Sequence, residues 1–257
     1  MKIDLNCDMG ESFGAYTIGM DAEVMPHITS ANIACGFHAG DPVVMEKTVA
    51  LAKEHGVAIG AHPGFPDLMG YGRRNMSCSP EEITAYVTYQ VGALTAFAAA
   101  HGLKLQHVKP HGALYNMAQP DEAMMEAICE AVAAVDSSLI LVALAGKWAD
   151  RNRQIARAHG LKIAFEAFPD RAYTPEGTLQ SRKEPGSVIK DPDIVAQRAL
   201  KMAKEGKVVA VDGTELSITP ETLCVHGDTP GAVALVRQIR QILTDNGVEV
   251  TAMGTFV

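Results

Sequence analysis

Short apolar runs alternate with longer amphipathic stretches along the whole chain, and regular punctuation separates them. The apolar runs are Ile3 to Leu5, Ile28 to Ala34, Val57 to Ala61, Leu103 to Val108, Leu139 to Leu144, Leu161 to Phe165, Lys207 to Val211 and Thr222 to Val225. Each is too short for a typical helix and reads as apolar on both faces, which is the pattern of a strand in a covered parallel sheet. Helix starts are marked by a capping residue before proline at Asp41-Pro42, Ser79-Pro80, Asp191-Pro192 and Thr229-Pro230, and Ser79 with Glu82 makes a capping box. Helix stops carry Gly56, Gly102, Gly160, Gly206 and Gly247. The alternation predicts a β/α fold with helices over a parallel sheet.

Polar residues close many of the strands: Asn6 and Asp8, Asn32, His62, Lys109 with His111, Glu166, and His226 with Asp228. An open sheet gathers ligands at one switch point and equips two or three strand ends, so this spread favours a closed, TIM-like α/β barrel. Asp4, Asn6 and Asp8 share one face of the first strand, and an inward polar row is tolerated where partners or a ligand satisfy it. His38, His62, His111 and His226 each follow an apolar run inside a Gly/Pro turn, which suggests one shared site. His55, His101 and His159 instead precede glycine at the end of an amphipathic stretch and read as helix caps. His27 stays open, as does His107, whose strand parity matches Lys109 and His111. Two connections, Pro63 to Cys78 with Arg73-Arg74 and Pro169 to Ser187 with Asp170, Arg171, Tyr173 and Arg182, are longer than packing requires and are candidate lids.

Composition narrows the class. At 257 residues with 47% hydrophobic content the chain reads as one domain, residues 1 to 257, with a sizeable core. A formal net charge of −8 without a basic block excludes nucleic acid and anionic membrane as expected partners. The N-terminus lacks the apolar core of a signal peptide and no apolar run approaches the ~18 residues of a span, so a cytoplasmic location is expected. Five cysteines without Cys-x-x-Cys spacing argue against a disulfide framework or a structural zinc cluster.

The strings DLNCDMGESFG, NIACGFHAGDP, GAHPGFPD followed by GYGRR, VKPHGALYN, EAFPDRAY and CVHGDTPGA, in this order, resemble the lactam-utilisation family, whose characterised members are the A subunits of bacterial ATP-dependent 5-oxoprolinase. The likeness runs from Asp4 to about Ala232. It implies a seven-stranded barrel of the glycoside hydrolase/deacetylase type. It also implies work with two other subunits, B and C, to open 5-oxo-L-proline to L-glutamate at the expense of ATP. Homo-oligomerisation is left open.

Opening an unstrained lactam needs activation, and phosphorylating its oxygen makes ATP with Mg²⁺ a co-substrate. The hydrolytic step needs a base, oxyanion donors and an acid for the amine. Asp8 or Glu166 is expected as base, Lys109 and His111 at the oxyanion, Glu11 and His62 beside them, and Arg73 or Arg171 on the substrate carboxylate. Asn6, Asn32, Asp170, His226 and Asp228 complete the candidate substrate contacts. No P-loop exists, since neither Gly146-Lys147-Trp148 nor Gly206-Lys207-Val208 continues to Ser or Thr. Gly227 to Gly231 could offer backbone donors to an anion, or simply cap a helix. His38, His62 and His111, with Asp8 and Asp228 near, are donors of the kind zinc or manganese accepts, so a protein-held divalent metal stays open. Rival readings are a metal-dependent amide or carbohydrate deacetylase-type hydrolase, a nucleophile elbow at Ser12 in GESFG, a Schiff base on Lys109, and a lactam-binding module without chemistry of its own.

Overall fold

The computed structural model describes residues 1–225 and 231–257. In chain order the elements are β1 (Lys2–Met9), α1 (Asp21–Val24), β2 (Ser30–Ala34), α2 (Pro42–His55), β3 (Ala58–His62), α3 (Pro80–Ala100), β4 (Leu105–Val108), α4 (Gly112–Ala118), α5 (Glu122–Asp136), β5 (Ile140–Leu144), α6 (Ala149–Ala158), β6 (Lys162–Ala167), α7 (Pro192–Glu205), β7 (Lys207–Val209), β8 (Glu215–Ser217), β9 (Thr222–Val225), α8 (Ala232–Asp245) and β10 (Glu249–Val250). Strands β1 to β6 and β9 pair in parallel in that order, and β9 pairs back onto β1 with Asn6 opposite Cys224. The sheet is therefore a closed seven-stranded barrel.

Local chemistry accounts for the helix boundaries. Asp41 and Asp191 accept from the first backbone N–H groups of α2 and α7, and Ser79 forms its capping box with Glu82 at α3. Gly56 and Gly206 take the left-handed conformation after α2 and α7. His55 is the last residue of α2, while His101 and His159 sit at the C-caps of α3 and α6. Thr229-Pro230 lies outside the described residues, and Gly231 stands at the N-cap of α8.

One of the eight apolar runs departs from the expected pattern. Lys207 to Val209 forms an antiparallel hairpin with Glu215 to Ser217 outside the barrel, and β9 takes the seventh barrel position instead. Val209 and Val211 are exposed, so this run is not covered on both faces. Helix α3 departs from a second expectation, that no segment is long and apolar enough to span. By length and composition it could cross a membrane, yet here it packs against α5.

Strand parity sets the layers. Ile3, Leu5, Cys7 and Met9 join the core between barrel and helices, with Val49, Val91, Leu94, Ile128, Val195 and Ile239 from the helical side. The alternate positions on β1 carry the polar row Asp4, Asn6 and Asp8. A separate apolar cluster of Ile140, Val142, Ala164 and Met253 brings in the C-terminal turn, whose Met253 N–H donates to Asp4 Oδ1 and Gly254 N–H to Gln106 Oε1. Asp4 also accepts from Thr29, Ser30 and Thr222, and burial raises its pKa to about 6.

Candidate functional site

The polar face of the barrel forms a continuous network. Asp8, Asn32, Gly60 and His107 stand in register on β1 to β4. Gly60 is required there: a Cβ would lie 2.3 Å from the His107 ring. Gln106 Nε2 donates to His107 Nδ1 at 3.2 Å, so His107 Nε2 carries the hydrogen that it donates to Asn32 Oδ1 at 2.7 Å. Burial pulls the His107 pKa down to about 3, in keeping with that neutral ring. Asn32 donates to Asn6 Oδ1 and Asp8 Oδ1, and Asn6 donates to Glu166 Oε1 at 2.8 Å and to Thr222.

Lys109 closes this network. Its ammonium lies 2.9 Å from Asp8 Oδ1, 2.9 Å from Glu166 Oε1 and 3.1 Å from Cys224 Sγ. Burial works against the charge, but the Asp8 and Glu166 carboxylates outweigh it and hold the lysine well above its usual range. A cation held this way suits anion stabilisation and is a poor amine nucleophile.

A second cluster sits beside the first. Glu11, His38, His62 and His111 are all buried, and one donor atom from each lies within 4.8 Å of the others. His62 Nδ1 is 2.6 Å from the Lys109 carbonyl and His111 Nε2 is 2.9 Å from the Tyr71 carbonyl. A carbonyl only accepts, so both ring nitrogens carry hydrogen and His62 Nε2 and His111 Nδ1 turn their lone pairs toward each other, 2.9 Å apart. Two lone pairs at that distance need a proton or a cation between them. Glu11 Oε1 stands 3.2 Å from His38 Nε2 and 3.6 Å from His111 Nδ1, while Tyr71 O–H donates to Glu11 Oε2. His38 stacks on His111 at 3.6 Å, and His38 Nδ1 has no partner among the described residues. Burial holds His38 and His111 well below the usual histidine range, which keeps their lone pairs available. Three imidazoles and a carboxylate make a nitrogen-rich donor set that fits zinc or manganese.

The backbone takes on local strain to build this cluster. Tyr71 has φ +55°, the one non-glycine residue with positive φ among the described residues, and its carbonyl is the one that fixes His111. Its neighbour Gly72 has φ +62°, and a Cβ there would meet His38 Cβ at 2.6 Å. Asp67 ties the same loop by accepting from Arg74 and from the Gly70 N–H.

Both networks open on a cleft of about 570 Å³ whose lining includes Asp8, His62, Lys109 and His111. Tyr115, Trp148 and Phe168 give it aromatic walls, and Arg73, Arg171 and Arg182 stand around it. The predicted residues thus fall into groups. Asp8, His62, Arg73, Lys109, His111 and Arg171 reach the cleft; Asn6, Asn32 and Glu166 are fully buried beneath it; Glu11 and His38 belong to the imidazole cluster. Asp170 is buried beside Arg171, while His226 and Asp228 lie outside the described residues. His27 is elsewhere, accepting from Arg237 on α8. Sequence reasoning missed Tyr71 and Tyr115 as members of the site. Only Tyr71 carried a signal, its place between two glycines in the first long loop.

The family model for LamB/YcsF matches residues 3–257. The chain belongs to the LamB/YcsF family. Among curated relatives, the 5-oxoprolinase A subunit of Syntrophobacter fumaroxidans is 56% identical over 254 residues, 99% of each chain. Its namesake from Thermococcus onnurineus is 53% identical over 257 residues, all of both chains. The crystal structure of a lactam utilization protein from Thermus thermophilus superposes with a TM-score of 0.91 at 53% identity, covering 98% of this chain and 100% of that one. Within this LamB/YcsF chain, Ser12 Oγ donates to the Ile18 carbonyl and accepts from the Ile18 N–H, and no helix starts before Asp21. A nucleophile elbow requires a strand-to-helix turn directly at the serine, so that rival has no structural basis.

Proposed function

We propose that this chain is the A subunit of an ATP-dependent 5-oxoprolinase, a single catalytic barrel that works in the cytoplasm with two partner subunits, B and C. The reaction opens 5-oxo-L-proline to L-glutamate with ATP hydrolysis. The observation that carries the reading is full-length identity above half to curated proteins of that name, over all of the strands that bear the site. The cleft supports it, because base, cation and imidazoles converge where a small amide fits.

In this account Asp8 is the base that delivers water, since it faces the cleft whereas Glu166 lies buried behind Lys109. Lys109 and His111 receive the developing oxyanion, with Glu166, Asn6 and Asn32 holding Lys109 and Asp8 in place. His62 bridges Asp8 and His111, and Glu11 orients the imidazoles. Arg73 takes the substrate carboxylate, because the Arg171 guanidinium already donates to the Ser187 and Gln180 carbonyls. ATP with Mg²⁺ is the co-substrate. A divalent metal held by Glu11, His38, His62 and His111 would supply Lewis-acid polarisation of an oxygen. That group is also what favours a metal-dependent amide hydrolase as the second reading.

The assignment is tested with Lys109→Ala and His111→Ala in the assembled enzyme. Each is expected to lower kcat by roughly 10²-fold or more, as loss of an oxyanion donor does. Wild-type turnover in both would remove these roles.

A further inference from the structure

Stabilising an oxyanion takes a hydrogen aimed at the oxygen as well as a charge near it, and in this cleft most hydrogens are already committed. Lys109 has three N–H hydrogens, and they face four acceptors: Asp8 Oδ1 and Glu166 Oε1 at 2.9 Å, Cys224 Sγ at 3.1 Å and Asn6 Oδ1 at 3.4 Å. His111 directs its Nε2 hydrogen at the Tyr71 carbonyl and turns Nδ1 to His62. Either residue must release a partner before it donates to a reacting oxygen.

One buried hydroxyl has no partner to release. Tyr115 lines the cleft and is 4% exposed, and its O–H makes no hydrogen bond among the described residues. Helix α4 puts it there. Gly112 opens that helix with φ +53°, a Cβ at this position would lie 2.6 Å from the Gly72 carbonyl oxygen, and the Ala113 N–H donates to the same oxygen. The Tyr115 N–H donates to the His111 carbonyl, so the phenol stands one turn past the imidazole cluster. Phe168 holds it beside the lysine: the Tyr115 ring meets Phe168 edge-on with centroids 6.1 Å apart, and the Lys109 ammonium lies 5.4 Å from the Phe168 centroid. Glu166 and Cys224, which touch Lys109, also lie near enough to act on the phenol.

A hydroxyl buried without a partner costs free energy, and a fold that retains one against a cleft has a use for it when the cleft is filled. Burial first, then the Glu166 carboxylate, pushes the Tyr115 phenol well above its usual range, so it keeps its proton and serves as a donor rather than as an acid. We propose that Tyr115 is a catalytic residue whose hydroxyl donates to the lactam oxygen on which negative charge develops as water adds to the ring carbon, with Lys109 supplying the charge alongside. The proposal rests on the oxoprolinase reading and adds a directed donor to it. No bond to Tyr115 forms or breaks, and the proton stays on the phenol throughout.

Tyr115→Phe tests this in the complex assembled with the two candidate partner subunits, because it removes the oxygen and leaves the ring. With Mg-ATP, kcat for glutamate release is expected to fall roughly 10²–10³-fold. KM for 5-oxo-L-proline should stay within about twofold and the pH–rate profile should keep its shape, as for a contact made in the transition state. Thermal unfolding of the purified chain gives the opposing readout: Tm is expected to hold or rise, since the variant loses a buried hydroxyl that had no partner. A Tm lowered by more than about 4 °C shows that the hydroxyl already serves the fold, and overturns the proposal. A kcat within about threefold of wild type overturns it too, whether KM is unchanged or rises to make Tyr115 a binding contact only. So does a displaced pH–rate profile, which means that Tyr115 acts through Glu166. Each of these results leaves the oxoprolinase reading standing, whereas a wild-type complex that releases no glutamate removes that reading and the proposal with it.

Discussion

Replacing Lys109 by Met removes the cation while keeping much of the side-chain volume. The ammonium sits 2.9 Å from both the Asp8 and Glu166 carboxylates, and Glu166 is fully buried. At an effective dielectric near 20 each contact has a gross attraction of roughly 5–6 kcal/mol, most of it offset by desolvation. Removing one partner of such a buried group costs about 3–5 kcal/mol, because the stranded carboxylates keep their desolvation penalty. Urea unfolding followed by far-UV circular dichroism at pH 8 reads this cost directly. A cost below about 1 kcal/mol would refute the buried-network account.

Asp4 gives a pH signature: its raised folded pKa of about 6 means that stability falls as pH climbs from the unfolded value near 4 through 6, by roughly 3 kcal/mol, and Asp4→Asn should flatten that slope in unfolding titrations. Gly60→Ala drives a methyl into the His107 ring and should cost about 1–3 kcal/mol or more; a neutral result in the same assay would show that His107 can move away. The imidazole cluster predicts about one equivalent of a zinc- or manganese-class metal in chain purified without chelator or immobilised nickel, lost in His62→Ala. Chelation should then lower Tm by roughly 5–15 °C, from about 3–4 kcal/mol of binding. Metal content near zero with an unchanged Tm contradicts the metal assignment.

The barrel was largely legible in the sequence because its signals are local: capping residues before proline, glycine after five of the helices, and apolar runs between. The run at Lys207 misled because apolar character alone does not say whether both faces are covered, and Val209 and Val211 remain exposed. Site membership followed from strand ends and parity, which brought Asp8, His62, Lys109 and His111 to one cleft. Depth was not legible. Nothing local says that Asn6, Asn32 and Glu166 lie beneath the cleft, since this depends on how seven strands close around them. Nor does composition reveal that the Tyr71 carbonyl fixes the His111 ring, a contact made across 40 residues by a loop in a strained conformation.

Glutamate release from 5-oxo-L-proline tests the central claim most directly, measured for this chain alone and co-purified with its two candidate partner subunits, with and without Mg-ATP. The account predicts glutamate only from the complex with ATP present, lost when His111 is replaced by Ala. Release that needs no ATP, or that survives His111→Ala at the wild-type rate, contradicts it, as does no release under any of these conditions.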